Sequence, residues 1–128
     1  MIVTPAPVEQ EQIAPIQGVM PDSKEEYWVA KALYKYDIPF RFQWQIRGGT
    51  TRRGGLVVDF VVRNPMRTPL LVYGKYWHMA ELEGGDKRRV VAIADYFKVG
   101  VQNIPILWAD HSTTEESVSA WVRRNILR

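Results

Sequence analysis

The spacing of apolar residues predicts a helix where the regular part of the chain begins. Five large or apolar side chains recur at helical spacing: Trp28, Val29, Ala32, Leu33 and Tyr36. Ser23 and Glu26 match a capping box, in which each side chain satisfies a free amide of the first helical turn. Pro39 cannot extend a helix because its nitrogen carries no hydrogen. The pattern therefore predicts a first helix from about residue 23 to residue 37.

Three strands are predicted to follow this helix. Phe40–Ile46 alternates strictly between apolar and polar side chains, which indicates a strand with one buried face. A basic, glycine-rich loop spans residues 47–55. Leu56–Val62 is apolar apart from one aspartate, which is typical of a strand covered on both faces. The Asn-Pro pair at 64–65 predicts a turn, and Leu70–Tyr73 is the third strand.

A helix, a strand and a final helix are predicted in the rest of the chain. The helix runs from about residue 86 to residue 98 and ends before Gly100. Its apolar face is formed by Val90, Ile93, Ala94 and Phe97. Ile104–Trp108 is the fourth strand, and either Thr113 or Thr114 caps the last helix. The apolar stripe of that helix comprises Val118, Trp121, Val122 and Ile126.

The order of these elements predicts an α/β fold. The first three strands follow one another without an intervening helix, so they can form an antiparallel meander. The fourth strand is reached through a helix, and such a strand most simply joins the sheet in parallel. We therefore expect a mixed four-stranded sheet flanked by helices.

The first 21 residues differ in composition from the rest of the chain. They hold four of the eight prolines and no periodic apolar pattern. We therefore predict a flexible N-terminal arm over residues 1–21 and a single domain over residues 22–128. The alternative for the arm is an extended segment packed on the domain.

Composition excludes several kinds of protein. The chain has no cysteine, which excludes disulfides, thiolate-based zinc sites and thiol catalysis. No apolar run approaches a length of about 18 residues, which a membrane span needs. The N-terminus lacks the basic start and apolar core of a signal peptide. We therefore expect a cytoplasmic protein without membrane contact.

Charge is compatible with a nucleic-acid partner but does not establish one. The formal net charge is +3, and the only charged residues among the first 21 are Glu9 and Glu11, so the rest of the chain is more basic. Many ordinary domains are this basic.

Four residues at three places in the chain stand out as candidates for chemistry. Asp59 is the only charge in the apolar second strand, and a buried carboxylate is costly unless it is paired or binds a metal. It is either a metal ligand or a hydrogen-bond hub. His78 follows two aromatic residues after the third strand and is either a general base or a structural histidine. Glu25 and Glu26 could reach a metal if the first helix packs beside the strands; otherwise they cap the helix and favour its dipole.

Basic residues cluster at two places and are candidate phosphate contacts. The loop at residues 47–55 carries Arg47, Arg52 and Arg53 among four glycines, and the second helix opens with Lys87, Arg88 and Arg89. Lys75 is a further candidate. The alternative for the loop is a solvated turn, and for Lys75 simple exposure.

Three segments together resemble the restriction-endonuclease-like PD-(D/E)XK superfamily, and within it the very short patch repair endonucleases. Gly55–Phe60 resembles the strand that carries the family's metal-binding aspartate. Leu71–His78 resembles the strand followed by glycine, an aromatic residue, tryptophan and histidine. Pro105–Trp108 resembles the late strand that ends in tryptophan. The likeness covers most of residues 22–128.

The resemblance implies a restriction-endonuclease-like αβββαβ core and hydrolysis of DNA phosphodiester bonds. Asp59 would bind Mg²⁺ or Mn²⁺, and Val72 would offer its backbone carbonyl to the same ion. His78 would be the general base that activates water. Glu25 or Glu26 would match the acidic residue of the first helix.

The chain also departs from the pattern that it resembles. Leu71 and Tyr73 stand where the superfamily's second acid belongs, and Met79 and Ala80 stand where the repair enzymes carry a second histidine. The zinc-binding cysteines are missing. The second hypothesis is therefore a catalytically inactive nuclease fold that binds nucleic acid, or a protein partner through the N-terminal arm. The sequence does not distinguish DNA from RNA and does not predict an oligomeric state.

Overall fold

A computed structural model of the chain describes residues 12–48, 55–63, 66–74, 82 and 84–127. Its elements follow in the order α1 Lys24–Lys35, β1 Phe40–Ile46, β2 Leu56–Arg63, β3 Arg67–Tyr73, α2 Gly84–Phe97, β4 Ile106–Trp108 and α3 Glu115–Asn125. A short 3₁₀ helix leads from α2 into β4. This order confirms the predicted α/β class.

The four strands form one open sheet in the order β1-β2-β3-β4. β1 pairs with β2 and β2 with β3 in antiparallel fashion, whereas β3 and β4 are parallel. The predicted meander and the parallel fourth strand are thus confirmed. The pairing of β1 with β2 extends to Ile46↔Leu56, but the pairing of β2 with β3 ends at Phe60↔Leu70. The ladder between β2 and β3 therefore ends at Phe60, and Asp59, the residue before it, has no ladder partner in β3.

The hydrophobic core lies on both faces of the sheet. On one face α1 and α3 pack against each other and against the strands. This cluster includes Val29, Leu33, Phe60, Val118 and Val122. On the other face α2 covers the sheet. That cluster includes Val58, Leu71, Val90 and Ile93. Each helix buries one stripe and exposes the other, as its apolar spacing predicts. Within the described ranges, no helix has the length and apolar character needed to cross a membrane.

Two strand boundaries differ from the prediction by more than one residue. β3 starts at Arg67, three residues early, and contains the buried Pro69 opposite Val61. The sequence pattern disfavours this extension because proline cannot donate to a ladder. β4 is shorter than predicted, because the backbone N–H of Ile104 bonds the Val101 carbonyl within the 3₁₀ turn.

The helix starts also refine the prediction. Ser23 is the N-cap of α1 and accepts a hydrogen bond from the Glu26 amide. The Glu26 carboxylate contacts the Ser23 hydroxyl rather than its amide, so only half of the predicted capping box forms. α2 begins at Gly84, two residues before the predicted start. The sequence did not indicate this start because glycine has a low helix propensity. Thr114, not Thr113, caps α3.

Part of the predicted N-terminal arm packs on the domain. Ile16 is only 2% exposed and joins the core beside α1 and α3. Gln17 donates its side-chain amide to the Phe40 carbonyl at 2.8 Å and accepts the Phe42 N–H at 2.9 Å. The side chain therefore pairs with the outer side of the edge strand β1. Over this part of the arm the packed alternative holds, whereas residues 1–11 lie outside the described ranges.

We predict that Gln17→Ala lowers the free energy of unfolding by about 1–2 kcal/mol, because two hydrogen bonds to the edge strand are lost. Urea denaturation measures the change. Gln45→Ala is the matched control, since Gln45 is an exposed glutamine on β1 itself. We expect it to change the free energy of unfolding by no more than about 0.5 kcal/mol. Equal effects of the two substitutions would show that Gln17 does not hold the edge in solution.

Candidate active site

Asp59 lies at a break in the sheet. Its Oδ2 accepts the Val72 N–H at 2.9 Å, beyond the last pair of the β2–β3 ladder. On the other side, the β1–β2 pairing skips Gln43, which faces Asp59 in the register and has a φ of 52°. The carboxylate thus replaces a backbone partner for β3. This is the hydrogen-bond hub that the sequence left as one alternative.

Arg89 is the cationic partner of Asp59. The guanidinium reaches from α2 and lies 3.4 Å from Asp59 Oδ1. It also donates to the Val57 carbonyl at 2.9 Å and to the Tyr73 hydroxyl at 2.7 Å. The Asp59 and Arg89 side chains are only 18% and 22% exposed. Arg89 was predicted to contact phosphate, but here it joins β2, β3 and α2 at the Asp59 carboxylate.

Glu26 is the second carboxylate of this cluster. It is 7% exposed, and among the described residues its Oε1 has no hydrogen-bond partner. Burial raises the pKa of Glu26 to about 7, and the negative charges of Asp59 and Asp22 add to this rise. Since Asp59 acts on Glu26 electrostatically, α1 and β2 bring two carboxylates into one cluster. Glu25, on the same turn, is half-buried and makes no described contact with Asp59.

The charge states around Arg89 follow from burial and pairing. Burial raises the pKa of Asp59, although the Arg89 charge and the Val72 N–H oppose the rise. Burial also works against the charge of Arg89, but Asp59 and Tyr73 outweigh it, so the pKa of Arg89 lies above its ordinary value. Burial raises the pKa of Tyr73 as well, against the opposing effect of Arg89. Arg89 therefore stays charged and Tyr73 stays a neutral phenol at neutral pH.

The other predicted site residues fall into two groups. Arg47, Lys87 and Arg88 are exposed and have no described contact with Asp59. The remaining four lie outside the described residues: Arg52, Arg53, Lys75 and His78. The structure thus brings Glu26, Asp59, Val72 and Arg89 together.

Two members of the cluster were not assigned to it from the sequence. Tyr73 was noted only as a departure from a family pattern, and Arg89 was one of three consecutive basic residues. The available signal for Arg89 was the need of a buried aspartate for a cation. Helical spacing is a second signal for Arg89, because it lies four residues before the buried Ile93 and therefore on the same side of α2.

The oxygens of this cluster fit a hard divalent cation such as Mg²⁺. Mg²⁺ is usually held by one or two carboxylates and completes its shell with water and substrate phosphate. Asp59 and Glu26 supply two carboxylates, and Glu26 Oε1 is buried without a partner in the described ranges. Within those ranges no group of three or more acidic, histidine or cysteine side chains could hold a metal. A cation here would also compete with Arg89 for Asp59.

Comparisons with known proteins place no further constraint on this cluster. No protein-family model matches the chain, and neither the curated proteins nor the solved structures contain a significant match.

We predict that Glu26 makes stability fall as pH rises. Because the folded-state pKa of Glu26 is about 7, above the ordinary 4.5, folding takes up a proton between these values. Its stabilising contribution is complete below pH 4.5 and is lost as pH rises through 7. The free energy of unfolding of Glu26→Gln should therefore exceed that of the wild type by up to about 3 kcal/mol at pH 8. Near pH 4 the two values should be equal. Denaturation at a series of pH values measures the difference, with Glu25→Gln as the matched control. A constant difference from pH 4 to pH 8 would contradict the assignment.

We predict that Arg89→Met destabilises the fold by about 3 kcal/mol at pH 7, because Asp59 is left buried without a cation. The double variant Asp59→Asn/Arg89→Met should lose less than the sum of the single variants, with a coupling energy of at least about 1 kcal/mol. Urea denaturation of all four proteins gives the cycle. Arg88→Met, at the exposed neighbouring position, should change stability by less than about 0.5 kcal/mol. Strict additivity of the two substitutions would refute the pairing.

Proposed function

We propose that this protein is a metal-dependent DNA endonuclease with a restriction-endonuclease-like αβββαβ core. One observation carries the proposal. Asp59 of β2 accepts the Val72 N–H where β2 and β3 stop pairing, and its negative charge adds to the burial that raises the pKa of Glu26 of α1. Such like-charged pairs are expensive in a fold and are characteristic of sites that bind cations or transfer protons.

The topology supports the same proposal. An N-terminal helix, a three-stranded antiparallel meander and a helical connection to a parallel fourth strand follow in the order that the resemblance implies. Asp59 lies on the second strand and Val72 on the third, as the resemblance requires. A shared order of elements is an argument from analogy, so the cluster of side chains carries more weight.

The residues of the cluster have distinct roles in the proposed reaction. Mg²⁺ or Mn²⁺, held by Asp59, Glu26 and the Val72 carbonyl, would supply Lewis-acid stabilisation of the charge that grows on the phosphate oxygens. Arg89 offers further donors to a phosphate, since a guanidinium matches two of its oxygens. Without the cation, burial and the charge of Asp59 raise the pKa of Glu26 to about 7, and a bound cation would offset that charge. His78, which the resemblance makes the general base, lies outside the described residues.

A second function is favoured by the Asp59–Arg89 pair. The guanidinium already offsets the Asp59 charge, so the cluster is electrostatically satisfied at that position without a metal. This arrangement suits a nuclease fold that has lost cleavage and binds nucleic acid or a protein partner, with residues 1–21 used in docking. Both proposals include a cytoplasmic location for the protein.

We predict that the wild type nicks supercoiled plasmid with Mg²⁺ or Mn²⁺ and that Asp59→Ala and His78→Ala each lower the rate by at least about 100-fold. Glu26→Gln should lower it similarly, because a neutral amide binds the cation less well than a carboxylate does. Gel quantification of nicked and linear products gives the rates. Glu116→Gln, an exposed acid on α3, should nick at the wild-type rate.

Thermal denaturation must show that each variant is folded before its rate is compared. No nicking by the wild type, together with no Mg²⁺ or Mn²⁺ binding in calorimetric titration, would refute the endonuclease and favour the binding function. Metal-dependent nicking that survives Asp59→Ala would place the activity elsewhere.

A further inference from the structure

A second concave site lies at one end of the sheet, apart from the Asp59 cluster. It is a cleft of about 620 Å³ that extends from the C-terminal end of α1 over the first residues of β1 to the adjoining ends of β2 and β3. It shares no residue with the Asp59 cluster. Its volume is within the range of about 300–1,000 Å³ that is usual for small-ligand sites.

Three arginines line this cleft: Arg41, Arg63 and Arg67. Arg63 and Arg67 are direct partners across β2 and β3, and Arg41 is opposite Val61, two residues from Arg63. Alternation along the strands puts all three on one face. Like charges directly opposite each other in a sheet are destabilising. An anion bound between them would turn this repulsion into attraction.

Within the described ranges, no carboxylate neutralises the arginines of the cleft. In the described part of the chain none of the three arginines forms an ion pair with a carboxylate. Asp37 is the one carboxylate among the described lining residues, so these four side chains carry a net charge of +2. The cleft is therefore electrostatically complementary to a phosphate group.

Aromatic side chains also line the cleft, Trp44 on the face of the sheet that carries the arginines and Tyr34 on the side of α1. Tyr34 is 58% exposed and is held against Phe40 in an edge-to-face contact with ring centroids 5.0 Å apart. The guanidinium of Arg67 lies 5.6 Å from the centre of the Trp44 ring, which restrains its position. An exposed ring supported from behind is a surface on which a base can stack.

We propose that this cleft binds a nucleotide, with the phosphate on Arg41, Arg63 and Arg67 and the base against Tyr34. The nucleotide can be free or part of a single strand of nucleic acid. Arg63 follows Asp59 by four residues on β2, which corresponds to about 13 Å along a strand. A DNA strand held at Asp59 can therefore extend to the cleft. This expectation of a strand rests on the proposed function, whereas nucleotide binding does not.

The test is fluorescence anisotropy of a labelled short oligothymidylate, with EDTA present so that cleavage cannot interfere. Thymidine monophosphate serves as an unlabelled competitor. Arg63→Ala/Arg67→Ala should weaken binding by at least about 10-fold. It should also reduce the slope of log affinity against log salt by about 1.4, the value for two phosphate contacts on a single strand. Tyr34→Ala should weaken binding by about 10-fold with little change in the slope.

Arg123→Ala/Arg124→Ala is the matched control, because it removes the same charge from the exposed end of α3. Competition by the monophosphate at concentrations near the oligomer's own affinity would identify a free nucleotide as the ligand. Oligomer binding without such competition would identify a single strand. No binding of the labelled oligomer, or equal losses in the two double variants, would overturn the proposal. None of these outcomes depends on whether the Asp59 cluster cleaves DNA.

Discussion

The break between β2 and β3 at Asp59 is the constraint on which the rest of the structure depends. Beyond Phe60↔Leu70 the two strands are joined by side chains instead of ladder hydrogen bonds. Asp59 receives the Val72 N–H, and Arg89 connects the Val57 carbonyl, the Tyr73 hydroxyl and the carboxylate. α2 is thereby attached to the sheet where the pairing of β2 with β3 has ended. A salt bridge and its hydrogen bonds replace part of a strand pairing.

This arrangement costs stability, and the cost indicates function. Replacing a buried ion pair by apolar side chains is often neutral or stabilising, whereas removing one partner is strongly destabilising. Glu26 adds a further burial cost, because its pKa of about 7 means that neutral pH forces charge into a site that already holds Asp59. Buried groups with such unfavourable electrostatics are found most often where a cation or a proton has to be handled. At Asp59 the two proposed functions differ in whether a metal or Arg89 balances the charge of the carboxylate.

The cleft and the Asp59 cluster both take residues from β2 but differ in chemical character. β2 contributes Asp59 near its middle and Arg63 at its end. The cluster is desolvated and contains carboxylates, so it suits cations and chemistry. The cleft is open and cationic and is lined by an aromatic ring, so it suits recognition of a nucleotide. The edge strand β1, held from outside by Gln17, forms one wall of the cleft.

Much of the fold could be predicted because helices and strands have different periods. Helical spacing predicted α1 and α3, strict alternation predicted β1, and the apolar run with a single aspartate predicted β2 and its candidate ligand. The sequence by itself determined the α/β class, the order of elements and the choice of Asp59. It failed at Arg67–Pro69 and at Gly84, where local propensity opposes the element that tertiary contacts impose.

Only the tertiary structure decided which charges meet. Lys87, Arg88 and Arg89 are consecutive cations in the sequence, but successive helical residues point in directions about 100° apart, so one of them faces Asp59. Glu25 and Glu26 differ for the same reason, since α1 buries Glu26 and leaves Glu25 half-buried. The three arginines of the cleft are separated by up to 26 positions and meet through strand register. Residue type is local, but the electrostatic environment of a residue is set by distances that only packing defines.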